Sequence, residues 1–182
     1  ITFKAVSKTF SLPAMKSAWF FSTNEDYLRR VDDHHRAERT ELGMIATMAA
    51  LNHGDDWLDQ LLVYLDESQE FVANYIRDNI PLIGQTKPEG TYLTWLDVSR
   101  IIDIIGAKET AAERERTSVD PVTPEMIVQE WLGHHARVDL NPGSSYGTGG
   151  EGHMRMNIAV SRSLLQVALD NIAEAVNRLP GA

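Results

Sequence analysis

Apolar positions come in short dense clusters at the start of the chain and at helical spacing through its middle and end. ITFKAV and SAWFFST, residues 1–6 and 17–23, read as strands, and the aromatic run between Lys16 and Asn24 suits a buried one. Asn24 followed by Glu25 and Asp26 predicts a capped helix running to about His35, its acids complementing the positive end of the helix dipole. ELGMIATMAALNH predicts a second helix, which Gly54 breaks. Asp55 or Asp56 caps a third, where Leu58, Leu61, Leu62, Leu65, Val72 and Ile76 form one apolar face before Pro81 ends it. A helix of this length between two strand-bearing regions predicts a spine joining two domains.

Beyond that helix, KPEG (residues 87–90) signals a turn and TYLTWLDV a strand rich in aromatic and β-branched residues. Residues 106–121, GAKETAAERERTSVDP, are charged and poor in large apolar side chains, which predicts an exposed insertion or flexible excursion. TPEMIVQEWLGHH opens with Thr123 as cap and Pro124 at the first helical position. A strand-like ARVDL, the glycine-rich loop NPGSSYGTGGEG and the strand HMRMNIAV follow. Ser161 caps a last helix, with Leu165, Ala168, Ile172, Val176 and Leu179 facing the core. Helices and strands alternate without an internal repeat, so the class is α/β or α+β with mixed strands. Residues 92–98 and 154–160 are expected in one sheet.

Composition narrows the function classes. The chain has 182 residues, 43% hydrophobic and 24% charged, an ordinary globular balance with enough apolar mass for a core. Its 26 acidic residues against 17 basic ones give a net charge of -9, which argues against nucleic acid and against an anionic membrane surface. No cysteine is present, so disulfides and thiolate metal sites are impossible. No apolar run approaches the roughly 20 residues that span a bilayer. A cytoplasmic protein is the expectation. The chain opens on Ile1 and enters a strand at once, which predicts the tail portion of a longer polypeptide.

Two basic residues are candidates for chemistry. In SKTFSLPAMK, Lys8 stands among Ser7, Thr9, Phe10, Leu12 and Pro13. Burial among such neutral neighbours would lower the pKa of a lysine and free its amine as a nucleophile; the alternative is an ordinary surface lysine. In HMRMNIAV, period two puts Met154, Met156, Ile158 and Val160 on one face and Arg155 with Asn157 on the other. A rigidly held arginine offers a planar fork matched to a carboxylate; the alternative is an exposed sheet face or a salt bridge to one of the many acids. The approach GTGGEGH lacks both the Walker lysine and the strand-loop-helix setting of a dinucleotide fingerprint, so it reads as a flexible loop.

Taken together, SKTFSLPAMKSAWF, DDWLDQLLVYL, KPEGTYLTWLD and NPGSSYGTGGEGHMRMNIAVSRSLL resemble, in order and spacing, the C-terminal portion of class I/II aminotransferases. These are fold type I enzymes dependent on pyridoxal phosphate (pyridoxal 5'-phosphate), and the likeness is to their cystathionine β-lyase and C-S lyase branch. The resemblance implies an α/β fold: the end of a large sheet domain over residues 1–60, carrying the Schiff-base lysine, and a small C-terminal domain over 61–182. It places Lys8 on the lysine that attaches the cofactor and moves the substrate's α proton, and Arg155 on the arginine that clamps the substrate's α-carboxylate. Lys16 falls where many relatives hold the cofactor phosphate with an arginine, and Ser7 is a second candidate for that phosphate. Ala5 replaces a frequent phosphate-binding serine, and Val160-Ser161-Arg162 replaces a more usual Cys-Pro-Arg.

The implied activity is β-elimination of a carbon-sulfur bond, with cystathionine-type substrates, or transamination of amino acids. Implied too are a homodimer and an N-terminal half, outside this chain, that supplies the phosphate loop, the aromatic stacked on the pyridine ring and the aspartate at its nitrogen. The contrasting reading is a non-catalytic binding or regulatory domain that retains the fold.

Overall fold

The computed structural model describes residues 1–34 and 40–181, which form two compact units, Ile1–Val63 and Tyr64–Ala182. The boundary falls inside one long helix, between Val63 and Tyr64.

In the first unit β1 (Thr2–Ala5) pairs antiparallel with β2 (Ala18–Phe21), with Phe3 opposite Phe20 and Lys4 opposite Trp19. Three helices follow: α1 (Glu25–His34), α2 (Glu41–His53) and the first turns of α3 (Asp55–Asn79). Asn24 opens α1 as expected, its Oδ1 accepting from the Asp26 N–H, while the expected end at His35 lies outside the described residues. Thr40 caps α2 by accepting from the Gly43 N–H. Gly54 closes it by donating to the Ala50 carbonyl, and Asp55 and Asp56 lie in the first turn of α3 rather than before it.

The expected burial of the aromatic strand is not found. Trp19, Phe20 and Phe21 are exposed, because a two-stranded ribbon has two faces and the described residues of this unit lay no second layer over them. Val6 is the only buried large hydrophobic residue among the described residues of the unit, and Leu42, Ile45, Met48 and Leu51 of α2 also face outward.

The second unit has a continuous core. Four strands run β3 (Gly84–Gln85), β4 (Leu93–Asp97), β6 (His153–Asn157) and β5 (Asn141–Pro142) in sheet order, every neighbouring pair antiparallel. The two predicted strands thus share one sheet, Trp95 pairing with Arg155. Alternation sends Leu96, Met154 and Met156 inward, where each side chain contributes roughly 1.5–3 kcal/mol by leaving water. Helix α6 (Pro124–Ala136) packs against α7 (Arg162–Val176) and touches β6, and α3 adds Val72 and Ile76 to the same core. Leu62, expected on the buried face of α3, is exposed; that face turns polar farther on, at buried Ser68 and Gln69.

Three further expectations are corrected. The charged stretch 106–121 is largely helical. After α4 (Ser99–Ile104), which went unpredicted, α5 (Ala107–Glu115) sets Ala107 and Ala111 into the core against α6. Two alanines one turn apart suffice to seat the helix, so the stretch is exposed as expected but is not an irregular excursion. Its charges point outward into Lys108–Asp103, Arg114–Glu130 and Arg116–Glu113 ion pairs, and most of the helix and the whole turn after it are exposed. ARVDL is not a strand either. Arg137 adopts a left-handed conformation at the end of α6, φ 55°, which turns the chain, and ladder pairing begins only at Asn141. Part of the glycine-rich segment is regular: Asn141–Pro142 pairs with β6, and Gly143–Tyr146 forms a 3₁₀ turn.

Candidate functional site

Lys8 sits in the turn leaving β1. The Phe10 N–H donates to the Val6 carbonyl at 3.0 Å and the Leu12 N–H to the Ser7 carbonyl at 3.1 Å, closing a tight loop around it. Phe10 fixes that loop from the side by stacking on Trp57, with ring centroids 5.8 Å apart. The contact needs glycine at 54, because a Cβ there would lie 2.4 Å from Phe10 Cε1. The far end is tied down as well, where Thr47 Oγ1 donates to Ser17 Oγ at 2.9 Å.

Lys8 itself is exposed, which corrects the expectation that its neighbours bury it. Thr9 and Pro13 are exposed too, while Ser7, Phe10 and Leu12 are half-buried; a tight turn packs its residues against the strand below, leaving the outward lysine without walls. Its amine makes no hydrogen bond or ion pair among the described residues, and the same is true of Lys16, held left-handed at φ 50° after the 3₁₀ turn Pro13–Met15. Two amines without a partner among the described residues and the hydroxyl of Ser7 thus lie within one short loop.

Arg155 lies in the second unit and is built in more firmly. The register of the sheet puts Asn141, Arg155 and Trp95 in one row across β5, β6 and β4, on the face opposite the core. Arg155 Nη2 donates to Asn141 Oδ1 at 2.9 Å, and its Cζ lies 4.3 Å from the centroid of the Tyr146 ring. Trp95 in turn meets Tyr146 edge-on at 5.9 Å. No carboxylate pairs with Arg155 among the described residues, and its Nε is buried without an acceptor. The salt-bridge alternative is therefore not what the structure contains. The sequence segments of Asn141, Tyr146 and Trp95 assign them no role; strand register, set by the core pattern on the other face, brings Asn141 and Trp95 to Arg155, and the turn after β5 brings Tyr146.

Glu125 anchors this corner from behind. Near the start of α6 and 3% exposed, it accepts from the Gly152 N–H at 2.7 Å. The Gly152 carbonyl accepts from the Val98 N–H at 2.9 Å, and its φ of 75° favours glycine. Burial pushes the Glu125 carboxyl up, but hydrogen bonds from the backbone of Gly152 and of Glu125 itself, and from Thr123 and Ser144, together hold it below the usual carboxylate range. A lowered folded-state pKa means stability that is present above the ordinary carboxylate range and lost as pH falls through the lowered value. Glu125→Gln is expected to cost about 1 kcal/mol at pH 7. In urea unfolding series at several pH values the gap to the parent protein should narrow on acidification; a gap that widens would show the carboxylate to be strained instead.

No family model matches the chain. A Mycobacterium leprae protein provisionally named a cystathionine beta-lyase is 32% identical over 174 residues, covering 94% of this chain and 41% of that protein. The cystathionine beta-lyase PatB of Bacillus subtilis is 28% identical over 183 residues, covering 97% of this chain and 42% of the relative. Among solved structures, the pyridoxal-phosphate-bound C-S lyase of Staphylococcus hominis superposes with a TM-score of 0.79 at 27% identity, covering 96% of this chain and 41% of that one. This chain is related to the C-terminal portion of the fold type I C-S lyases. It spans about two fifths of the length of the relatives it matches. Against the C-S lyases, the α/β class and the fold type I expectation hold. Among the described residues no helix is long and apolar enough to cross a membrane, and no cluster of His, Asp and Glu is placed to hold a metal ion.

Proposed function

We propose that the protein containing this chain is a pyridoxal-phosphate-dependent enzyme acting on amino acids, by β-elimination of a carbon-sulfur bond in cystathionine-type substrates or by transamination. The observation that carries the proposal is Arg155: a guanidinium held on a sheet by neutral partners, with no carboxylate paired to it among the described residues. A fixed cation of this kind is suited to an external carboxylate through charge-assisted paired hydrogen bonds. The kinship with C-S lyases supports the same reading.

In this reading Arg155 holds the substrate's α-carboxylate. Lys8 attaches the cofactor covalently through its amine and moves the proton at the substrate's α carbon, while Lys16 and Ser7 take the cofactor phosphate. When bound, pyridoxal phosphate supplies an electron sink for the carbanion at that carbon. Each residue acts from its own unit, Lys8 from a braced turn and Arg155 from a sheet. Residues 1–60 are assigned to the end of the cofactor-binding domain and residues 61–182 to the small domain. The exposed apolar side chains of β2 and α2 support further covering chain in the complete protein and a homodimer. The lack of cysteine suits a cytoplasmic location.

Borohydride reduction of the cofactor-loaded protein, followed by peptide mapping, tests the assignment. The pyridoxyl label is expected on Lys8. A label on Lys4, Lys16 or any other lysine would overturn it.

A further inference from the structure

We infer that Asn141 and Tyr146 are positioning residues that set the plane of the Arg155 guanidinium, and that the amide at 141, in place of a carboxylate, keeps this arginine available to an external carboxylate. The inference rests on the proposed role of Arg155 and deepens it by naming what makes that role possible.

An arginine on a strand face has a long, rotatable side chain, and holding its fork in one plane takes at least two contacts from different directions. Both are present. Asn141 lies directly across the ladder from Arg155, so backbone pairing delivers its amide oxygen to Nη2 at 2.9 Å. Tyr146 arrives from the 3₁₀ turn after β5 and sets its ring against the guanidinium, centroid 4.3 Å from Cζ, with Trp95 packed edge-to-face on it. One contact comes from the strand and the other from the turn. Nη1 and the second Nη2 hydrogen have no partner among the described residues, which leaves a pair of donors for a ligand.

The chemistry of position 141 decides whether those donors stay usable. A neutral amide accepts one hydrogen bond without cancelling the charge. An aspartate of nearly the same shape would form an internal ion pair and compete directly with an incoming carboxylate. The chain has 26 acidic residues, yet none of those described pairs with Arg155, and its hydrogen-bond partner is an amide. Tyr146 acts by its ring and not its hydroxyl, so phenylalanine should replace it and leucine should not.

The test uses the native, cofactor-loaded protein and two readouts. The first is calorimetric titration with propionate, a carboxylate without an amine. The second is the split between KM and kcat for an amino acid. Asn141→Asp should weaken propionate binding at least tenfold and raise KM with kcat largely kept, and the melting temperature should be unchanged. Tyr146→Leu should weaken binding severalfold, with Tyr146→Phe restoring it. Arg155→Lys is run in parallel. If Arg155→Lys weakens binding but Asn141→Asp and Tyr146→Leu do not, the positioning roles are wrong and the role of Arg155 stands. If Arg155→Lys itself leaves propionate binding intact, the proposed role of Arg155 fails, and the roles of its two partners fail with it.

Discussion

If Lys8 has its proposed role, replacing it by alanine is expected to reduce turnover by roughly 10² to 10⁴-fold or more, since the change would remove the proposed acid-base group at the substrate's α carbon together with the proposed attachment of the cofactor. Stability should barely change. The Lys8 side chain is exposed and makes no hydrogen bond or ion pair among the described residues, and the turn around it is held by backbone bonds and by Phe10 against Trp57. Substitutions at such surface positions usually stay within about 0.5 kcal/mol. Steady-state rates with cystathionine and with an amino acid and keto acid pair, measured beside thermal melting, separate the two effects. An unchanged melting temperature with lost turnover assigns Lys8 to the chemistry. Retained turnover in a fully folded variant would remove Lys8 from the mechanism and leave the exposed turn as ordinary surface.

That same exposure marks where the sequence stops being legible. SKTF singles out Lys8 by its motif, but whether the lysine is enclosed depends on chain elements that pack over the turn, and no local pattern encodes those. The aromatic strand Ala18–Phe21 misleads for the same reason: hydrophobicity says a residue is coverable, not that the cover belongs to this chain. The second unit is more readable because its core is internal. Alternation in HMRMNIAV gives the orientation of Arg155 correctly, since Met154 and Met156 have a core to enter within the same unit. Caps are readable as well, Thr123 and Ser161 each accepting from the backbone N–H three residues on. What stays hidden is pairing between segments. Asn141 reads as a loop residue until β5 is known to pair with β6, and Glu125 reads as an ordinary first-turn acid until Gly152 is found on it.

The second large effect concerns Arg155→Lys. Lysine keeps the positive charge but replaces a planar fork by a single ammonium, so it cannot donate to Asn141, stack on Tyr146 and grip both oxygens of a carboxylate at once. Loss of one hydrogen bond to a charged group is worth about 1.5–3 kcal/mol, and kcat/KM for amino acids should therefore fall roughly ten- to hundred-fold. Amines lacking an α-carboxylate should respond little, because they never used the clamp. Visible absorbance of the bound cofactor should persist, since the proposed role of Arg155 is toward substrate and the proposed attachment is through Lys8. Kinetics with an amino acid and with its decarboxylated amine, on the same two proteins, give the comparison. Equal losses for both compounds would mean that Arg155 supports the sheet and not the carboxylate, and that its neutral surroundings serve packing alone.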